Sequence, residues 1–111
     1  MPNGESAVVD PVKVREYLLS TEHENGRHKA RLFSRLGYHR QNWMRLFRTL
    51  EAHATLDTAQ CLSSNAYGEK YEIVGPVTGP NGRVATMLSV WIISAEAHLP
   101  RLVTAYPTEF I

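Results

Sequence analysis

Two short stretches of this chain carry side chains that do chemistry without a metal. One is Arg27-His28-Lys29-Ala30-Arg31; the other is Arg101-Leu102-Val103-Thr104-Ala105-Tyr106-Pro107 near the C-terminal end. Histidine as a residue type can serve as base or acid in proton transfer, which makes His28 a candidate for either role. Lys29, Arg31 and Arg101 can hold an anion, the arginines in a two-pronged way. Thr104 and Tyr106 can donate hydrogen bonds to phosphate, and the Tyr106 ring can stack on a base. Such a set suits cleavage of RNA by internal attack of the 2′-hydroxyl on its own phosphodiester. The substrate brings the nucleophile. The protein needs a base for that hydroxyl, cations for the charge that develops on phosphorus, and an acid for the leaving oxygen. The expected roles are catalytic for His28, Thr104 and Tyr106 and substrate-binding for Lys29, Arg31 and Arg101, with no metal and no cofactor.

Each residue also has a plain reading. His28 can be an exposed side chain in the first turn of a helix, Lys29 can lie along an apolar stripe with its ammonium in water, and Thr104 is a normal strand residue. Tyr106 can bury its ring in a core. Lys70 and Tyr71 read as strand surface and strand core, and Trp43 and Trp91 as core. His23 and His28 are five apart with His23 in a loop, which does not suit a metal pair. No phosphate loop, dinucleotide glycine fingerprint, nucleophile elbow or HExxH motif occurs.

The elements that must position these groups follow from periodicity. Met1 to Val9 has no period and reads as a flexible tail, ahead of an α+β domain over residues 10–111. Asp10-Pro11 is a helix start, with Asp as the cap and Pro in the first turn, and the helix runs through Val14, Tyr17 and Leu18. After the Asn25-Gly26 turn, a second helix is expected from about Arg27 to Leu36, closed by Gly37. A third, about Gln41 to Ala54, carries the stripe Trp43, Leu46, Phe47, Leu50. Residues 55–66 form a connector with a short strand around Cys61-Leu62. Alternation then takes over from Tyr67 to Gly75-Pro76, Asn81-Gly82 marks a hairpin, and Arg83 to Ser94 returns. That return strand is apolar on both faces, so it is either covered twice or covered once and turned toward a partner on the other side. In the last strand, strict alternation puts Leu102, Thr104 and Tyr106 on one face and Arg101, Val103 and Ala105 on the other. The fold class is α+β: about three helices, then an antiparallel meander of three to four strands.

The chain has 111 residues, enough for one modest core, and a net charge of +1. That near-neutrality hides a division. Residues 27–54 hold seven cations against Glu51 alone, a balance of +6, whereas the flanking segments are acidic. The positive field could draw a polyanion or be a solvated pair of helix faces. The single cysteine, Cys61, excludes an internal disulfide and a cysteine-based zinc site, and it fits a reducing cytoplasm. No apolar run approaches the roughly 18 residues of a membrane span, so no membrane is expected as a partner.

The run Gly26-Arg27-His28-Lys29-Ala30-Arg31-Leu32-Phe33, with Leu36-Gly37-Tyr38, Asn42-Trp43, Thr78-Gly79-Pro80-Asn81-Gly82-Arg83, Val90-Trp91 and the terminal Pro100-Arg101-Leu102-Val103-Thr104-Ala105-Tyr106-Pro107, resembles a widespread bacterial domain family of no assigned activity. More distantly, helices followed by a small sheet ending in Val-Thr-Ala-Tyr-Pro look like the toxin ribonuclease superfamily of barnase, EndoU, colicin D and RelE. That likeness implies a basic or His residue on an early helix working with a Thr or Tyr on a late strand, RNA as substrate, and a cognate antitoxin or neighbouring-gene protein as partner. The leading expectation is a metal-independent, toxin-related ribonuclease. The alternatives are a non-catalytic interaction domain of immunity or accessory type, and a nucleic-acid binder without catalysis.

Overall fold

The computed structural model describes residues 1–111. Asp10 caps the first helix by accepting the Val12 N–H at 2.9 Å. The helix begins as α1, Pro11–Lys13, and continues as a π-turn over Val14–Leu18. α2 spans Arg27–Ser34, and the turn that follows it closes at Gly37, whose φ of 88° is the left-handed geometry that a side chain would strain. A 3₁₀ turn at Arg40–Asn42 leads into α3, Trp43–His53. Four strands follow: β1 Gln60–Asn65, β2 Gly68–Thr78, β3 Val84–Ser94 and β4 Arg101–Phe110. They pair in sequence order as one antiparallel sheet, β1-β2-β3-β4. This is the α+β arrangement expected from the change of period, with helices first and a four-stranded meander after.

The helices cover one face of the sheet. Leu18, Phe33, Leu36, Leu46 and Leu50 meet Ile73, Met87, Trp91 and Ala105 in one buried cluster. Within it Ser89 Oγ accepts the Trp91 indole N–H at 2.8 Å and contacts His53 Nδ1 at 2.7 Å. Because indole nitrogen only donates, the Ser89 hydroxyl is free to donate to His53. This orients α3 on β3.

The last strand departs from strict alternation. Val90 pairs with Thr104 but Trp91 pairs with Leu102, so Val103 is an extra, bulged residue. A second irregularity at Thr108 carries the strand past Pro107 to Phe110. The bulge corrects the expected facing. Leu102 and Ala105 share the covered face, and Arg101, Thr104 and Tyr106 share the opposite one. The expected stop at Pro107 also fails, because β4 is an edge strand where a missing donor costs no ladder bond.

The first nine residues, read from sequence as a flexible tail, touch the sheet at that edge. The Val8 N–H donates to the Pro100 carbonyl at 2.8 Å, and the Leu102 N–H donates to Val8 at 3.1 Å. Val9 is buried.

Helix side chains reach the other face of the sheet along β4, where Tyr17 meets Thr104 and Lys29 meets Tyr106. Cross-strand rows there run Val74–Leu88–Tyr106, Glu72–Val90–Thr104 and Lys70–Ile92–Arg101. Val74 and Ile92 are 41% and 44% exposed, large values for apolar strand residues. β1, with every residue exposed, is the free edge.

Candidate functional site

Four polar side chains converge where α2 lies against β4. Tyr17, on the π-turn, brings its hydroxyl to 3.4 Å from Thr104 Oγ1. Lys29, in the first turns of α2, holds its ammonium 5.3 Å from the centre of the Tyr17 ring and 5.6 Å from that of Tyr106. Both distances are within cation–π range. On the far side of Tyr17, Lys13 Nζ donates to the Val103 carbonyl at 2.9 Å. The bulge thus has a second role: it turns that carbonyl toward the first helix.

Gly26 allows the approach. A Cβ there would collide with the Tyr17 carbonyl oxygen, so the turn into α2 can cross the first helix only without a side chain. His23 fixes the same turn. Its Nδ1 accepts the N–H groups of Asn25 and Gly26, each at 3.0 Å. Nδ1 is therefore the acceptor and Nε2 carries the proton. The His23 ring meets Tyr17 edge-on with centroids 5.0 Å apart.

The electrostatics of the cluster act on Tyr17. Burial by itself raises the phenol's pKa, but the Thr104 hydroxyl and the neighbouring Lys29 and Lys13 ammonium groups outweigh it and bring the group below the ordinary tyrosine value. Chemically the cluster offers an ammonium near two rings, one aliphatic hydroxyl and two phenols, enough to hold one anion by charge and by hydrogen bonds.

Of the residues expected from sequence, the fold brings Lys29, Thr104 and Tyr106 together. Arg101 shares their sheet face three residues back along β4, on the Ile92 row. His28 and Arg31 are exposed on α2, outside these contacts. The imidazole in contact with the cluster is that of His23. Tyr17 was legible only as an apolar-stripe residue of the first helix, and nothing in its spacing marked its hydroxyl. Lys13 gave no signal either, because it reaches β4 through the Val103 carbonyl 90 positions away, and His23 read only as a loop residue although its ring meets that of Tyr17.

No curated protein matches the chain in sequence. Among solved structures, the fold is similar to a chain of the contact-dependent growth inhibition toxin–immunity protein complex from Klebsiella pneumoniae 342. The TM-score is 0.67 at 18% identity, with 92% of this chain and 100% of that one covered. At that identity the likeness is one of fold. The expected kinship with toxin ribonucleases finds no support in these matches, whereas the expected kinship with a bacterial domain family does. The model of the family described as a domain of unknown function, DUF6883, matches residues 1–109, and the chain belongs to that family.

Proposed function

We propose that this domain works by binding another protein, as one member of a pair of toxin–immunity kind acting in the cytoplasm. The observation that carries the reading is the second apolar face of β3. Leu88, Val90 and Ile92 point away from the helices, with Val74 beside Leu88; Val74 and Ile92 are exposed and Leu88 half-buried around a buried Val90. Apolar surface of this kind on a sheet is expensive to leave in water and marks contact with a partner. The fold likeness to a chain of a toxin–immunity complex supports the same reading. Titration calorimetry with the protein encoded by the adjoining gene should give a stoichiometric complex. Leu88→Asp should abolish it while leaving the melting temperature within a few degrees. Full-affinity binding by Leu88→Asp, or no complex with the wild-type domain, overturns the proposal.

A second reading, metal-independent RNA cleavage, is favoured by the Lys29, Tyr17, Thr104 and Tyr106 cluster. In it Lys29 would neutralise the phosphate and Tyr17, with its lowered pKa, would share in proton transfer. Purified protein should then cleave total RNA in chelator, and Tyr17→Phe and Thr104→Ala should each lose that activity while remaining folded. Uncut RNA across several pH values removes this reading.

A further inference from the structure

The chain's only ion pair joins Arg40 to Glu16. Its other cations have no carboxylate, and three of them are held on aromatic rings along one line. Lys29 sits over Tyr17 and Tyr106. Six residues on, the Arg35 guanidinium stacks 3.9 Å from the centre of the Phe110 ring, and that of Arg83 is 5.5 Å from the same ring. Asn81 and Arg83 also reach the Arg35 carbonyl, at 3.0 and 3.4 Å, which ties the β2–β3 hairpin to the end of α2. The line follows the seam between α2 and β4, from Tyr106 to Phe110.

Two guanidinium groups on one ring repel each other unless an anion lies between them. Stacking on a ring also restrains the side chains, so less freedom is lost when they pair. Carboxylate and phosphate fit the guanidinium fork equally well. Two observations favour a protein carboxylate. The faces of Tyr106 and Phe110 nearest the seam carry cations, which leaves them poor platforms for the base stacking that single-stranded nucleic acid uses. The seam also borders the Val74–Leu88–Tyr106 row, apolar ground suited to a protein.

We propose that the α2–β4 seam binds an acidic segment of the partner protein, with carboxylates at Lys29 and between Arg35 and Arg83. This rests on the reading that the partner is a protein, and it adds the chemistry of that partner's surface.

The test uses the full chain and a fluorescent deca-glutamate peptide at low salt, with a decauridylate of matched charge as competitor. Arg35→Ala with Arg83→Ala should weaken peptide binding about tenfold and at most about thirtyfold, since two exposed pairs are each worth up to about 1 kcal/mol. Lys29→Ala should weaken it further. Arg45→Ala with Arg48→Ala, on the exposed side of α3, should leave it near wild type. Equal loss from the α3 pair would mean that general positive charge, not the seam, binds the peptide, and the proposal falls. Tighter binding of decauridylate that needs the same seam residues overturns it in favour of nucleic acid. Leu88→Asp separates the two proposals, since it should break the complex with the adjoining-gene protein without weakening the seam's hold on deca-glutamate beyond the loss expected from one added negative charge. Loss of seam-dependent peptide binding with the Leu88 result intact removes only this inference.

Discussion

The buried imidazole of His53 ties this fold to pH. Its side chain is 3% exposed, Nδ1 is satisfied by Ser89, and Nε2 has no hydrogen-bond partner. Burial is the main cause that pulls its pKa below the usual histidine value, and the nearby carbonyls of Gly75 and Met87 oppose it only in part. The sign follows from linkage. In the folded chain His53 stays neutral at a pH where the unfolded chain has already taken up a proton. Stability is therefore full above about pH 6.5 and declines as pH falls from there toward the depressed folded value. Melting temperatures taken from pH 7.5 to pH 5 should drop, and His53→Gln should show a smaller drop over the same range although its own stability at neutral pH is lower. An equal drop in the variant would assign the acid sensitivity to other groups. In the sequence this histidine is not one of the apolar stripe residues of its helix, and its spacing singles out no role for it. Its burial depends on Ser89, 36 positions away, and no local pattern carries that distance.

At the scale of elements, the periods of the chain were readable and its interruptions were not. The three helices, the hairpin at Asn81-Gly82 and the doubly apolar β3 all follow from spacing, because each depends on neighbours within a few residues. The facing of β4 does not. Alternation assumes a regular ladder, and one bulge at Val103 moves Arg101 to the side of Thr104 and Tyr106. That single residue decides whether the polar cluster and Arg101 share a surface. If the bulge is the cause, deleting Val103 should restore plain alternation with every other side chain on its present face. The deletion should cost about 1 kcal/mol, mostly through the lost hydrogen bond from Lys13, and leave a folded domain. Deleting Ala105 instead forces either Thr104 or Tyr106 into the core beneath α2 and should unfold the chain. Circular dichroism and denaturant melts of the two deletions provide the comparison. If both unfold alike, the bulge does not set the facing.

For the molecule as a whole, charge and apolar surface act together. The net charge of +1 gives little mutual repulsion between copies. On the same molecule, Val74 and Ile92 are open on the outer sheet face, and β1 is a free edge with all six residues exposed. An unpaired edge and an uncovered apolar face are the two features by which sheets join other sheets. In the absence of its partner the domain should therefore self-associate as concentration rises. The remedy must lie on the face rather than in the core: Ile92→Lys adds charge where the side chain already meets water, whereas Trp91, its neighbour, is fully buried and closes the core over Ser89. Light scattering coupled to gel filtration, from about 10 μM to about 1 mM, spans association free energies of roughly 4 to 7 kcal/mol. Over that range the wild-type chain should show a rising mean mass, and Ile92→Lys should stay monomeric with an unchanged melting temperature. Added salt should strengthen the wild-type association, because screening removes what repulsion the net charge provides and leaves apolar burial intact. A monomeric wild-type chain at the highest concentration would mean that Glu72, Lys70 and Arg101, interleaved with the apolar side chains on the same cross-strand rows, already guard the face without a partner.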